Sequence, residues 1–163
     1  MKLAERCRAI RLLCLDVDGV LTPGDVTYAP AGESKAFHVR DGTALKRWHQ
    51  VGHRSAILSG RRSEMIHRRA QETGIARVIE GCHDKRLALE ALTRESGLSA
   101  YQVCFIGDDL VDVDAMRWCG LAVAVADGCV ESRAVAQYIT SAPGGQAAVR
   151  ETIERILRCQ GRW

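Results

Sequence analysis

Two aspartates two residues apart, Asp16 and Asp18, close an otherwise apolar run, Leu12-Leu13-Cys14-Leu15-Asp16-Val17-Asp18-Gly19-Val20-Leu21. Carboxylates held that close repel each other unless a cation or a shared proton sits between them. A hard, oxygen-seeking ion such as Mg²⁺ neutralises such a pair and can hold a phosphate as well. On this stretch alone, the plainer reading is a strand that ends in a solvated Asp-rich turn. Three later stretches weigh against it: Ser59-Gly60-Arg61, Lys85 and Gly107-Asp108-Asp109. Phosphoryl transfer needs a nucleophile, a proton donor for the leaving oxygen, a divalent cation, and groups that neutralise the equatorial phosphate oxygens. The chain offers a candidate for each. Taken singly, Ser59 is a turn residue and Lys85 a surface lysine, so it is their company and order that carry the reading.

Secondary structure must deliver these groups to one place. The run from Ile10 to Leu15, charged only at Arg11, has the pattern of a parallel strand covered on both faces. Gly19 marks a turn directly after the aspartates, so that both carboxylates can converge outside the sheet. Thr22-Pro23-Gly24-Asp25 is turn-rich; beyond it Val26, Tyr28, Lys35, Phe37 and Val39 alternate with polar or small neighbours across Pro30-Ala31-Gly32-Glu33. That pattern predicts a β-hairpin with Tyr28 and Phe37 exposed. Asp41 is placed as the N-cap of a helix through Ala44, Leu45, Trp48 and Val51, stopped by Gly52.

Strands are then expected at Arg54 to Leu58, Ala76 to Ile79, Val103 to Ile106, Leu121 to Ala126 and Tyr138 to Thr140. Helices fall between them: one capped by Ser63 and ending at Gly74, one opened by Asp84 and ending at Gly97, a short one with Met116 and Trp118, and one over Glu131 to Ala136. A final amphipathic helix covers Ala147 to Leu157, and residues 1 to 9 form a short helix or an ordered arm. Strands alternating with helices give an α/β fold: a three-layer α/β/α, Rossmann-like, doubly wound parallel sheet in one domain. Ligands bind such sheets outside the carboxyl ends of the strands. Asp16, Asp18, Ser59, Asp108 and Asp109 all fall there.

Composition narrows the class. With 163 residues, 47% of them hydrophobic, the chain can bury one sizeable core. The formal net charge of +3 is spread along the sequence, which argues against a nucleic-acid partner and for a small anionic one. Seven cysteines, an odd number without a Cys-x-x-Cys pair, mostly sit in apolar segments as small hydrophobes, as in a reduced cytoplasmic protein. No stretch has the length of a membrane span. His49 and His53 are four apart, but Gly52 interrupts the helix between them, so they are not read as a metal pair.

Taken in order, Asp16-Val17-Asp18-Gly19-Val20-Leu21, Ser59-Gly60-Arg61, Lys85 and Gly107-Asp108-Asp109 resemble the four motifs of the haloacid dehalogenase superfamily of phosphatases. The space after the first strand, where many of those proteins insert a cap domain, holds only the hairpin. With Lys35-Ala36-Phe37-His38-Val39-Arg40-Asp41-Gly42, Gly144-Gly145 and Ala148-Val149-Arg150-Glu151, the chain looks like the capless 3-deoxy-D-manno-octulosonate 8-phosphate phosphatases, which serve lipopolysaccharide inner-core synthesis. It departs from their pattern at His38, where Asn is common, at Lys46, where Arg is common, and at Gln146-Ala147.

The resemblance implies that Asp16 is the nucleophile and Asp18 the general acid and then base. It implies Mg²⁺ held by the Asp16 and Asp108 carboxylates and the Asp18 carbonyl, with Ser59 and Lys85 on the phosphoryl group. Asp18, Lys85, His38, Val39, Arg40, Asp41, Gly42, Lys46, Arg61 and Arg69 are the expected substrate contacts. Asp109 and Asp112 are expected beside the site, their roles unseparated. A homotetramer is implied as well. Phosphates of nine-carbon sugar acids or a broad set of phosphomonoesters are the alternative substrates. A signalling receiver domain, the rival from another class, places its phosphorylated aspartate on a middle strand rather than the first.

Overall fold

The computed structural model describes residues 2–29 and 32–163. After helix α1 (Leu3–Ala9) come β1 (Leu12–Leu15), the hairpin β2 (Thr27–Ala29) and β3 (Gly32–Ser34), α2 (Val39–Gln50), β4 (Arg54–Ser59), α3 (Glu64–Thr73) and β5 (Arg77–Glu80). Then follow α4 (Lys85–Glu95), β6 (Val103–Gly107), a 3-10 turn over Leu110–Asp112, α5 (Val113–Trp118), β7 (Leu121–Ala124), α6 (Val130–Val135), β8 (Tyr138–Ile139) and α7 (Ala148–Cys159). Six strands pair in parallel in the order β5-β4-β1-β6-β7-β8, as the alternation of strand and helix predicts.

β1 lies at the centre because it is apolar on both faces. Leu13 and Leu15 pack with residues of α1, α2, α3 and α7, while Leu12 and Cys14 pack on the opposite side with α4 and α5. From β1 the chain moves to β4 and β5 on one side and then crosses to β6 on the other, so the order reverses at β1. At such a switch point the loops part, leaving a crevice at the carboxyl ends of the strands. Trp48 is fully buried, and its indole Nε1 donates to the Arg54 carbonyl at 2.8 Å, which fixes α2 to the start of β4.

Three local expectations are corrected. The second hairpin strand ends at Ser34 rather than continuing through Val39, and the Pro30-Ala31 part of its turn lies outside the described residues. Phe37 is half-buried: it packs against the larger core cluster under the Arg69 guanidinium, 5.5 Å from its ring centre. Finally, α2 is capped by His38, whose Nδ1 accepts from the Arg40 N–H, and not by Asp41.

Asp41 is instead fully buried and caps a different helix. Ala147, at the start of α7, has no capping side chain, and Asp41 Oδ1 accepts from Arg150 N at 2.7 Å in that helix's first turn. This satisfies one of the amides that a helix start leaves open. All seven cysteines are unpaired, and burial raises the Cys14 and Cys104 thiols well above their ordinary range. Among the described residues no helix is long and apolar enough to cross a membrane.

Candidate active site

Asp16 N donates to the Ile106 carbonyl at 3.1 Å, carrying the β1–β6 pairing one residue past the strand. The backbone then coils, and the Val17 carbonyl accepts from Val20, Leu21 and Thr22 at 3.2, 2.9 and 3.0 Å. Gly19 makes this possible, with φ at +90°. A Cβ there would also lie 2.1 Å from Asp108 Oδ2, so conformation and space both require glycine. From behind, Gly145 N donates to the Val20 carbonyl at 2.9 Å, which ties the glycine pair before α7 to the active-site turn.

The turn sets Asp16 against the first residue of α4. Lys85 Nζ is 2.8 Å from Asp16 Oδ1 and 2.7 Å from Asp112 Oδ1, and all three side chains are buried. Asp112 Oδ2 accepts from the Asp108 and Asp109 amides at 2.9 and 3.2 Å. Asp112 therefore braces both the lysine and the loop that presents Asp108. Asp109 faces solvent and caps the 3-10 turn, accepting from Leu110 N at 2.8 Å. Geometry thus separates two acids whose roles the sequence leaves together.

The charges are strained by confinement. Burial first, and the neighbouring Asp112 second, raise the Asp16 carboxyl against the opposing pull of Lys85. Asp108 is pushed up to about 8, chiefly by burial and then by Asp16 and Asp112. For Lys85, burial alone would lower the ammonium, but Asp16 and Asp112 outweigh it and raise it.

Asp18 stands at the mouth in a second ion cluster. Lys35 Nζ is 2.5 Å from Asp18 Oδ1 and 3.0 Å from Glu33 Oε1, while Arg61 lies 3.2 Å from Glu33 Oε2 and 3.8 Å from Asp18 Oδ2. Lys35 and Glu33 were not expected here. In the sequence Glu33 reads as part of the hairpin turn and Lys35 as one of the alternating strand positions, and only the folding of that hairpin over the end of β1 brings them to the site. Ser59 is buried at the end of β4, and its Oγ accepts from Arg61 N at 3.2 Å.

The remaining expected substrate contacts spread away from the carboxylates. Arg69 donates from Nη2 to the His38 carbonyl at 2.8 Å and braces the start of α2, where a Cβ on Gly42 would come within 2.8 Å of the same nitrogen. Val39 is exposed, Arg40 lines a cavity with Arg150 and Arg155, and Lys46 lines another with Thr43 and Trp163. His49 bonds Ser55 and the Thr73 carbonyl, and His53 bonds Gln160, so the two do not converge on a metal.

A family model for haloacid dehalogenase-like hydrolases matches residues 72–147. The 3-deoxy-D-manno-octulosonate 8-phosphate phosphatases of Haemophilus influenzae and Yersinia pestis are 38% and 40% identical, over 97% and 96% of this chain and 88% and 84% of their own. The chain belongs to this phosphatase family. Its fold superposes on the Moraxella catarrhalis phosphatase, crystallised with magnesium ion, phosphate ion and KDO, with a TM-score of 0.95 at 43% identity, covering 97% of this chain and 91% of that one. The cobalt-bound Haemophilus influenzae phosphatase gives 0.92 at 38% identity, with 96% and 92% coverage.

The residues of this family member suit a hard cation. Among the described residues, carboxylate oxygens of Asp16, Asp108 and Asp112 lie within 4.8 Å of one another. Asp112 has both oxygens engaged by donors, whereas Asp108 Oδ1 is buried with no hydrogen-bond partner. No N–H among the described residues takes the Asp18 carbonyl. Asp108 and the Asp18 carbonyl are therefore open donors, and with Asp16, whose Oδ1 is shared with Lys85, they make an all-oxygen set of the kind Mg²⁺ prefers.

A stability test follows from the raised Asp108. Because its folded value, about 8, exceeds the unfolded 3.8, the folded metal-free chain holds the extra proton, and that stabilisation is lost as pH rises toward 8. Burial of neutral His49 and His53 acts in the opposite sense, but around and below their ordinary value of about 6.5. Between about pH 7 and 8.5 the melting temperature of the chelated protein is expected to fall, by about 2–4 °C per kcal/mol at this size. Mg²⁺ is expected to raise it more at the upper end. A flat metal-free profile in differential scanning fluorimetry would contradict the burial of Asp108.

Proposed function

We propose that this chain hydrolyses 3-deoxy-D-manno-octulosonate 8-phosphate to the free sugar acid and inorganic phosphate. The reading is carried by the juxtaposition of Asp16, Lys85 and Asp108 at the end of β1, in a family member 43% identical to a phosphatase crystallised with magnesium, phosphate and KDO. An Asp16 oxygen attacks phosphorus. The bond from phosphorus to the sugar oxygen breaks, its electron pair leaves with that oxygen, and Asp18 supplies the proton. Water then adds to the phosphorus of the aspartyl phosphate, giving a proton to Asp18, and the bond to Asp16 breaks to restore the carboxylate.

Lys85 offsets negative charge on Asp16 and the phosphoryl oxygens, and Ser59 donates to one of them. Mg²⁺, held by the Asp16 and Asp108 carboxylates and the Asp18 carbonyl, would neutralise the phosphate further. Arg61, exposed and next to Asp18, is the proposed contact to the sugar acid; Arg40 and Lys46 line separate cavities farther off, while Arg69 braces the start of α2 beside His38, Val39 and Gly42 and Asp41 braces the start of α7.

The test is phosphate release from a panel: the eight-carbon acid phosphate, a nine-carbon acid 9-phosphate, and hexose phosphates. Each charged hydrogen bond to the substrate carboxylate is worth about 1.5–3 kcal/mol, so the eight-carbon acid is expected to lead the hexose phosphates by about tenfold to a hundredfold. A chelator is expected to abolish release and Mg²⁺ to restore it. Preference for a hexose phosphate, or indifference to chelation, would refute the assignment, and preference for the nine-carbon acid would reassign the substrate.

A homotetramer is part of the same reading. Tyr28 is 83% exposed and Val39 78%, and Leu110 and Val111 are exposed beside the Asp108 loop. These groups flank an uncapped site that a neighbouring subunit could roof. Multi-angle light scattering is expected to give four chains per particle; a fully active monomer would end the idea. A cytoplasmic location suits the seven unpaired cysteines, which a reducing compartment preserves.

A further inference from the structure

We propose that Lys35 is a positioning residue for Asp18, so that the hairpin is part of the catalytic machinery and not only a surface between subunits. The inference rests on the phosphatase reading and deepens it. Its basis is a closed quartet of two cations and two anions: Lys35, Arg61, Asp18 and Glu33.

The Lys35 side chain is 2% exposed, and its ammonium touches one oxygen of each carboxylate. A buried ammonium is costly unless it is fully paired, so its place is fixed by those partners. Glu33 belongs to β3, directly opposite Tyr28 of β2, and holds Lys35 from the hairpin side. The quartet is thus anchored to the hairpin at one end and to the turn after β1 at the other.

Asp18 needs such an anchor. Among the described residues its carboxylate receives a hydrogen bond only from Lys35, with Arg61 farther off at 3.8 Å. It is partly open to water and shares its turn with Asp16, so that mutual repulsion of the two carboxylates would drive it toward solvent. Rotation about its side-chain torsion to another staggered well would take it out of reach of a leaving oxygen. Proton transfer requires that reach to be about 2.6–3.2 Å.

Lys35 also selects the working oxygen. Because Lys35 Nζ donates to Oδ1, the transferable proton must sit on Oδ2, the oxygen that Arg61 only approaches. A direct substrate role suits Lys35 less well. Its head group is enclosed and its donors point at carboxylates, while the Arg61 side chain is 43% exposed.

The test separates the acid step from phosphate binding by leaving group. An alkyl phosphate such as the sugar phosphate needs a proton on its departing oxygen, whereas 4-nitrophenyl phosphate releases a stable anion without one. In single-turnover measurements with Mg²⁺, Lys35→Met is expected to slow release of the sugar about tenfold to a hundredfold, a part of the roughly 10²–10⁴-fold that general acid catalysis supplies, because Asp18 itself remains. Release of nitrophenolate is expected to stay within about threefold of the parent. Lys35→Arg is expected to recover most of the sugar-phosphate rate, and Glu33→Gln to reproduce the Lys35→Met pattern in milder form.

Melting curves are run beside each variant, and Glu33→Gln supplies the reading if Lys35→Met does not fold. Equal losses on both esters, a raised KM with unchanged kcat, or an Arg variant no better than Met would each overturn the proposal. Failure of the unaltered protein on both esters would instead overturn the functional reading beneath it.

Discussion

Asp16→Asn is expected to stop turnover on every phosphomonoester, with a loss of at least about 10⁴-fold, as when a nucleophile acting in concert with its neighbours is removed. The amide keeps the shape of the side chain but cannot attack phosphorus. Loss of fold can be told from loss of chemistry, because the charge on Asp16 is unwelcome in the metal-free protein. Burial and Asp112 both raise its carboxyl, and Lys85 keeps Asp112 as a partner at 2.7 Å when Asp16 is neutral. The variant should therefore melt no lower than its parent in a chelator while releasing no phosphate above the uncatalysed rate. Retained turnover would move the nucleophile elsewhere. A collapse of the melting temperature would mean that the Asp16–Lys85 pair holds the fold, contrary to the geometry described.

What the sequence made legible were residues whose position is set by local rules. Asp16, Ser59 and Asp108 follow apolar strands, and Lys85 follows Asp84, which caps α4 by accepting from Leu87 N at 2.9 Å. Parallel strands in a doubly wound order then bring those ends together without further information. The sheet and its layers were legible for the same reason, since strands such as Leu12–Leu15 and Val103–Gly107 are apolar on both faces.

The rest depended on partners far away in the chain. Asp41 has every local mark of a helix cap, but its use is to satisfy an amide of α7 more than a hundred residues on, and His38 takes the local post. Phe37 reads as an exposed hairpin aromatic until Arg69 is seen over it. Lys35 and Glu33 gain meaning only when the hairpin folds across the turn after β1. Asp109 and Asp112 are chemically identical and three residues apart, so burial alone distinguishes them: Asp112 is enclosed and Asp109 is not.

That last distinction sets up the second large effect. Each hydrogen-bond and ion-pair partner found for the Asp112 carboxylate is a donor: Lys85 Nζ at Oδ1, and the amides of Asp108 and Asp109 at Oδ2. An asparagine there must turn its NH₂ group toward either the ammonium or the two amides, so a donor faces a donor in both orientations. Asp112→Asn is therefore expected to be nearly as damaging as Asp112→Ala, although it preserves volume. Breaking a buried ion pair on one side costs about 3–5 kcal/mol, which chemical denaturation would read as a shifted midpoint. Activity should fall by about tenfold to a hundredfold, the usual loss when a group that orients metal ligands is removed, because Asp112 holds the loop that presents Asp108. Asp109→Asn is the control: the side chain is exposed, asparagine caps as well as aspartate, and stability should move by no more than about 0.5 kcal/mol. If Asp112→Asn behaved like that control, the all-donor environment, and with it the brace between Lys85 and the Asp108 loop, would be wrong.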